Sequence, residues 1–215
     1  MIWNKKIQIV QALLIVVLLF CQGTLSWAND PQKAMQDTVE NVMEILTEPA
    51  LAGDDHWQER REMVAEELVK RFDFAEMAKR ALAKAWKRRT SVEREKFVNL
   101  FKELLKDTYV ERLKTYSDGS YKVVFDRVLI RGKKAVVNSL VTQKGREISA
   151  AYKMYQDGNE WFVYDVVIEG VSLVSNYRSQ FVSVIRKDGY DELVRRLEEK
   201  VSESRHSENY NKELS

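Results

Sequence analysis

The chain is poor in four residue types that decide chemistry: one cysteine, two histidines, two prolines and eight glycines in 215 residues. Each scarcity excludes something. The cysteine is Cys21, within an N-terminal segment expected to be removed. The mature chain then has no disulfide, no thiol nucleophile and no cysteine metal site. His56 and His206 have no neighbour at metal-ligand spacing, and a Ser-His-Asp triad would have to use one of them. No glycine-rich phosphate loop is present. Net charge is missing as well. Residues 1–28 carry two of the 35 basic residues and none of the 33 acidic ones, so the remainder is formally neutral. A neutral surface argues against nucleic acid, which selects for a basic one.

The N-terminus is built differently from the rest. Lys5 and Lys6 precede an unbroken apolar run, Ala12 to Phe20, and the segment ends Ser26-Trp27-Ala28. The run is shorter than the roughly 20 residues that span a bilayer. A basic start, a short apolar centre and a small-x-small exit read as a secretory signal over residues 1–28, cleaved after Ala28. The competing reading is a membrane anchor. Cys21 invites lipidation, but the bulky Phe20 before it fits a lipoprotein signal badly. A cysteine-free secreted chain fits a bacterial periplasm better than a disulfide-dense extracellular module.

From Asp30 to Ser117 the apolar period is helical. Asp30-Pro31 reads as a cap with proline at the first helical position, and Met35, Val39, Val42, Met43 and Leu46 form a stripe. Asp73 with Glu76, and Thr90 with Glu93, have capping-box spacing. A long helix then carries Phe97, Phe101, Leu104 and Tyr109 to an end near Ser117-Asp118-Gly119. From Tyr121 the period becomes two. "YKVVFDRVLI", "AVVNSLVT", "EISAAYKMYQ" and "WFVYDVVIE" are strand candidates joined by "RGKK", "QKGR" and "DGNE". Such short glycine-bearing links imply an antiparallel meander. Helical spacing returns after Gly170, which is expected to permit the bend by backbone freedom or by close packing. The expectation is an α+β fold with N-terminal helices, a four-stranded antiparallel curved sheet and C-terminal helices enclosing an apolar pocket. The long helix should cross the concave face. Residues 29–202 form one domain, and residues 203–215 are a polar, disordered tail.

Candidate chemistry is thin. Most carboxylates sit beside Lys or Arg on helix faces and read as solvated. Asp126, Asp165 and Glu169 read as lying within strands, and a buried acid near tyrosines can serve as a general base. The plainer role for Asp165 is structural pairing with Arg127 or Arg178. Strict alternation places Asp165 with Trp161, Val163 and Val167, opposite Phe162, Tyr164, Val166 and Ile168. "KRALAKAWKRRT" (residues 79–90) suits anionic headgroups or an acidic partner, or is the wet face of a helix. The apolar inventory is large by contrast. Ser139, Ala150 and Ala151 place small groups mid-strand opposite large ones, which can leave room inside.

Two stretches carry a family likeness. Phe72-Asp73-Phe74 before an alanine-rich helix, and Tyr164-Asp165-Val166 leading to Glu169-Gly170-Val171-Ser172-Leu173, closely resemble the MlaC family, also known as toluene-tolerance auxiliary proteins. The likeness runs from about Ala34 to Val201. It implies a periplasmic carrier, with elements of NTF2-like and cystatin-like folds, that holds glycerophospholipid acyl chains between a curved sheet and helices. Implied partners are an inner-membrane MCE-domain ABC transporter complex and an outer-membrane lipoprotein complex. The implied protein is a monomer without cofactor, and phospholipid is its cargo. Parity and helical spacing supply lipid-binding candidates: Phe97, Phe101 and Leu104 on the long helix; Val123, Phe125, Tyr152, Met154, Tyr164, Val166 and Ile168 on strands; Val171, Leu173, Tyr177 and Phe181 beyond the bend. The alternatives are a small pocket enzyme, an isomerase or hydrolase with Asp165 or Asp126 as base, and an interaction module that takes no ligand.

Overall fold

A computed structural model describes the backbone of residues 30–213 and the side chains of residues 30–204. The expected signal segment and the His206 side chain lie outside these. Helix α1 (Pro31–Thr47) starts at Asp30, whose carboxylate accepts from the Gln32 amide. Helix α2 (Trp57–Arg71) follows, then α3 (Phe74–Leu82), where the Asp73 carboxylate accepts from Glu76 N. A 3-10 turn, Ala83–Arg88, leads to α4 (Ser91–Leu105), which opens with the full Thr90–Glu93 capping box. The helix runs on as expected, but through a π-helical turn, Lys106–Val110, an α-turn and a 3-10 turn ending at Tyr116.

Strands β1 (Tyr121–Arg131), β2 (Lys134–Gln143), β3 (Arg146–Asp157) and β4 (Glu160–Ile168) form the expected antiparallel meander. A fifth strand, β5 (Val171–Ser172), was not expected. It exists because Glu169 and Gly170 both take left-handed φ values, 49° and 78°, and so close a two-residue hairpin turn. Nothing lies within 4 Å of where a Gly170 Cβ would stand, so backbone freedom, not close packing, is what glycine supplies there. Helix α5 (Leu173–Asp188) follows directly, and α6 (Tyr190–Glu213) closes the chain. The tail expected to be disordered from residue 203 is helical to Glu213.

The apolar side chains fall into three clusters. One joins α3, α4, α5 and α6 around stacked and edge-on rings of Phe97, Phe101, Tyr177 and Phe181. A second lies between α1 and the sheet and contains Met35, Ala135, Val137, Met154, Trp161, Val163 and Val166. The third joins α1 and α2 to Val110 in the π turn. The long helix therefore does not lie across the concave face. That place belongs to α1, because the aromatic stripe of α4 is already committed to α5 and α6. The π turn lets one continuous helix serve two clusters: Phe97 to Leu105 face the helical one, and Val110 enters the third.

Candidate functional site

The inner face of the sheet, turned toward α1, is graded in burial. Strand register sets its rows. Ala135, Met154 and Val163 are cross-strand partners and all are buried. In the next row Val137 and Val166 are buried while Tyr152 keeps accessible surface. One row further, Ser139 is buried but Ala150 and Ile168 are half-buried. Val141 and Ile148 in the last apolar row are both half-buried. On the edge strand, Val123, Phe125 and Val128 are half-buried too. The cause is the reach of α1, whose Met35 and Val39 seal one end of the face and leave the other apolar and only partly covered.

Tyr109, Leu113 and Tyr116 come to this region from the π turn and the turns after it, and Leu173 from the start of α5; all four are half-buried. Tyr109 packs on the helical cluster, Leu113 and Tyr116 on the third, and Leu173 on the sheet cluster. Together with the open end of the sheet they form an apolar belt where the three clusters meet. Burial pushes the Tyr109 phenol up to about 12, and the Tyr177 phenol beside it adds to the effect. Burial likewise raises Tyr152, with the nearby Ser139 hydroxyl acting in the opposite direction.

Of the candidate residues, Val123, Phe125, Tyr152, Ile168 and Leu173 lie in the belt, while Met154 and Val166 lie under or beside the sealed end. Phe97, Phe101, Leu104, Tyr177 and Phe181 belong to the helical cluster, where the rings pack on one another. Val171 is the cross-strand partner of Ile168 but is 56% exposed, a rim position. Tyr164 is displaced. The β3–β4 register shifts between Lys153 and Met154, so Asp165 faces Lys153 while Val163 faces Met154, and Tyr164 is the extra residue. It lies under the Arg80 guanidinium, 4.1 Å from its ring centroid, and beside Tyr155. The bulge also puts Trp161 and Val163 on the inner face with Val166 and Ile168, against strict alternation. Ile148, Val141, Tyr109 and Tyr116 escaped the sequence reading. The first two follow from the parity of Tyr152 and Ser139 once register is known; Tyr109 and Tyr116 owe their placement to the π turn.

Asp165, 4% exposed, is an anchor. Its carboxylate pairs with Lys153 Nζ at 2.9 Å and accepts from Ser172 Oγ at 2.7 Å and from the Val174 amide at 3.1 Å. Both oxygens are engaged, by partners other than Arg127 and Arg178; Arg178 donates to the Arg80 carbonyl instead. Asp126 is exposed on the edge strand at its own register shift. Neither acid is set as a general base. In residues 79–90, Lys79 and Arg80 pair with Glu76, and Arg89 with Glu93, while Lys84, Lys87 and Arg88 are exposed. His56 is exposed at the start of α2, 3.6 Å from Glu59. Among the described residues no His, Cys, Asp and Glu cluster has the makings of a metal site, and no helix is long and apolar enough to cross a membrane.

The motifs that carry the family likeness are architectural. Phe72 makes a bridge to Val163, Asp73 caps α3 and accepts from the Tyr155 hydroxyl, Asp165 ties β4 to α5, and Glu169-Gly170 forms the turn. The Glu169 carboxylate accepts from the Ser149 amide and hydroxyl, and these bonds hold its pKa below the usual range. Comparison with known proteins agrees. The intermembrane phospholipid transport system binding protein MlaC of Haemophilus influenzae is 26% identical over 149 residues, 66% of this chain and 69% of its own. A phospholipid-binding protein from Ralstonia solanacearum, solved in complex with a phospholipid, superposes with a TM-score of 0.72 at 26% identity, over 81% of this chain and 98% of that one. The family model for the MlaC protein matches residues 36–199, and the chain belongs to that family.

Proposed function

We propose that this protein is a periplasmic phospholipid carrier, exported by residues 1–28, that seats acyl chains in the apolar belt between the open end of the sheet and the helices. The observation that carries this reading is the Ralstonia relative, whose fold this chain shares and which was solved holding a phospholipid. The graded inner face supports it, since it leaves apolar side chains partly uncovered beside the helices.

Energetics fix how such a carrier works. Burying a methylene is worth about 0.8 kcal/mol, so exposing two chains of roughly 15 methylenes each would cost on the order of 20 kcal/mol. Release into water is negligible, and handover requires docking against a membrane complex. The tails are equally dry in a bilayer, so transfer between bilayer and carrier is close to neutral. Direction is then set by the partners: an outer-membrane lipoprotein complex on one side and an inner-membrane MCE-type ABC transporter, which consumes ATP, on the other. The consequence is maintenance of outer-membrane lipid asymmetry, with no reaction catalysed by the carrier.

The test is solvent extraction of the purified mature protein followed by mass spectrometry. Near-equimolar glycerophospholipid is expected. Protein that carries no lipid, and takes none from vesicles, would sink the reading.

A further inference from the structure

Ser139 is out of place in its surroundings. The inner face of β2 reads Ala135, Val137, Ser139, Val141, and the two cross-strand partners of Ser139 are Phe125 and Ala150. Its side chain is 4% exposed, and its hydroxyl makes no hydrogen bond of good geometry within the chain, with the Tyr152 phenol the polar group beside it. A buried hydroxyl without an acceptor costs about 1–3 kcal/mol, so one that persists calls for a partner from outside the chain. Tyr152 sits diagonally across the β2–β3 pair, within reach of a long aromatic side chain, and the Ser139 hydroxyl acts on its phenol. Tyr116, at the end of the long helix, packs edge-on against Tyr121 at the start of β1, 6.5 Å between ring centroids, which brings its phenol to the same end of the sheet. A hydrogen bond between the Ser139 and Tyr152 hydroxyls uses one of their donors and leaves the other free on this part of the belt.

We infer that Ser139, Tyr152 and Tyr116 form a hydrogen-bonding subsite for a neutral acceptor oxygen of the cargo, the ester carbonyl of a glycerophospholipid, and that this contact sets how deep the lipid sits. The inference rests on the carrier reading above. A phosphate oxygen is the other acceptor such a lipid offers. It would bring a charge onto a face whose neighbouring residues, Phe125, Ala150, Val166 and Ile168, are all uncharged, where desolvation is costly. Donors without a cation suit a carbonyl. The subsite also explains the small residues: serine and alanine side by side in one row give a carbonyl and its glycerol carbon room that valine would fill.

The subsite distinguishes ester-linked from ether-linked lipid, because an ether lacks the carbonyl while keeping tails and headgroup. The mature protein is incubated with vesicles holding equal amounts of dioleoyl phosphatidylglycerol and its dialkyl ether counterpart, and the lipid taken up is identified by mass spectrometry. One well-made hydrogen bond predicts a preference for the ester of about five- to tenfold. Tyr152→Phe and Ser139→Ala should each bring that ratio to within about twofold. Ser139→Ala should not lower the melting temperature, since its hydroxyl makes no bond of good geometry within the chain. Equal uptake of both lipids by the wild type, as expected if only water meets these hydroxyls, overturns the inference and leaves the carrier reading standing. So does an ester preference that survives both substitutions. Uptake of neither lipid overturns both.

Discussion

The two ends of one sheet face teach different lessons. At the end under α1, the row Ala135, Met154 and Val163 is closed off and behaves as core. Six residues along the same strands, Val141 and Ile148 present equally apolar side chains that are only half-buried. Composition does not separate them; cover does. The first end keeps the molecule folded, and the second is left for something else to bury. The largest test contrasts them directly. Met154→Asp places a charge in the sealed row and should cost about 4 kcal/mol or more in urea unfolding. Ile148→Asp should cost under about 1 kcal/mol, since its carboxylate can reach water, yet lower phospholipid uptake more than tenfold. Equal destabilisation by the two would erase the distinction.

A smaller effect sharpens where support ends and site begins. Asp165→Ala removes the partner of Lys153 and the acceptor for Ser172 and Val174, and should cost about 2–3 kcal/mol. Loss of lipid should follow loss of fold in parallel, read by circular dichroism and extraction on the same samples. Turnover of any lipid ester that vanished in Asp165→Asn would restore the enzyme alternative. Alkaline unfolding comes next. The Tyr109 and Tyr190 phenols are raised mainly by burial to about 12 from an ordinary 10.0. The folded state holds these protons more tightly than the unfolded one, so their contribution is intact below pH 10 and is lost as pH rises toward 12. Melting temperatures should fall across that window, and Tyr109→Phe should flatten the fall. The mildest contrast is at the rim. Val171→Glu, already exposed, should leave stability within about 0.5 kcal/mol and lower lipid content modestly. Tyr164→Glu, moved off the inner face by the bulge, should leave lipid content unchanged in protein that folds.

How much of this the residues disclosed depends on the range of the forces involved. The caps at Asp30, Asp73 and Thr90, the long helix, and all four meander strands were legible because each is decided within a few residues. The half-buried end of the sheet face was legible in part. Val123, Phe125, Tyr152 and Ile168 followed from strand parity, which holds wherever register is regular. Parity failed at Tyr164 because a bulge inserts one residue without altering hydrophobic pattern. Helical spacing placed Phe97 and Phe101 correctly on one stripe but could not say whether α1 or α4 would claim the sheet. That choice is a competition between two apolar stripes for one surface, and it is settled by packing across tens of residues.

The π-helical turn at Lys106–Val110 has a mechanical corollary. A residue in a regular helix advances the facing direction by about 100°, and the wider π turn takes up one residue without that advance, so rewinding Lys106–Val110 as ordinary helix with every residue kept would swing everything downstream by about that angle. Leu113 and Tyr116 would then point elsewhere, and the phenol opposite Tyr152 would leave with them. The irregularity acts as a phase adjuster between two rigid stretches, and the facing of Leu113 and Tyr116 depends on a turn that contains neither of them.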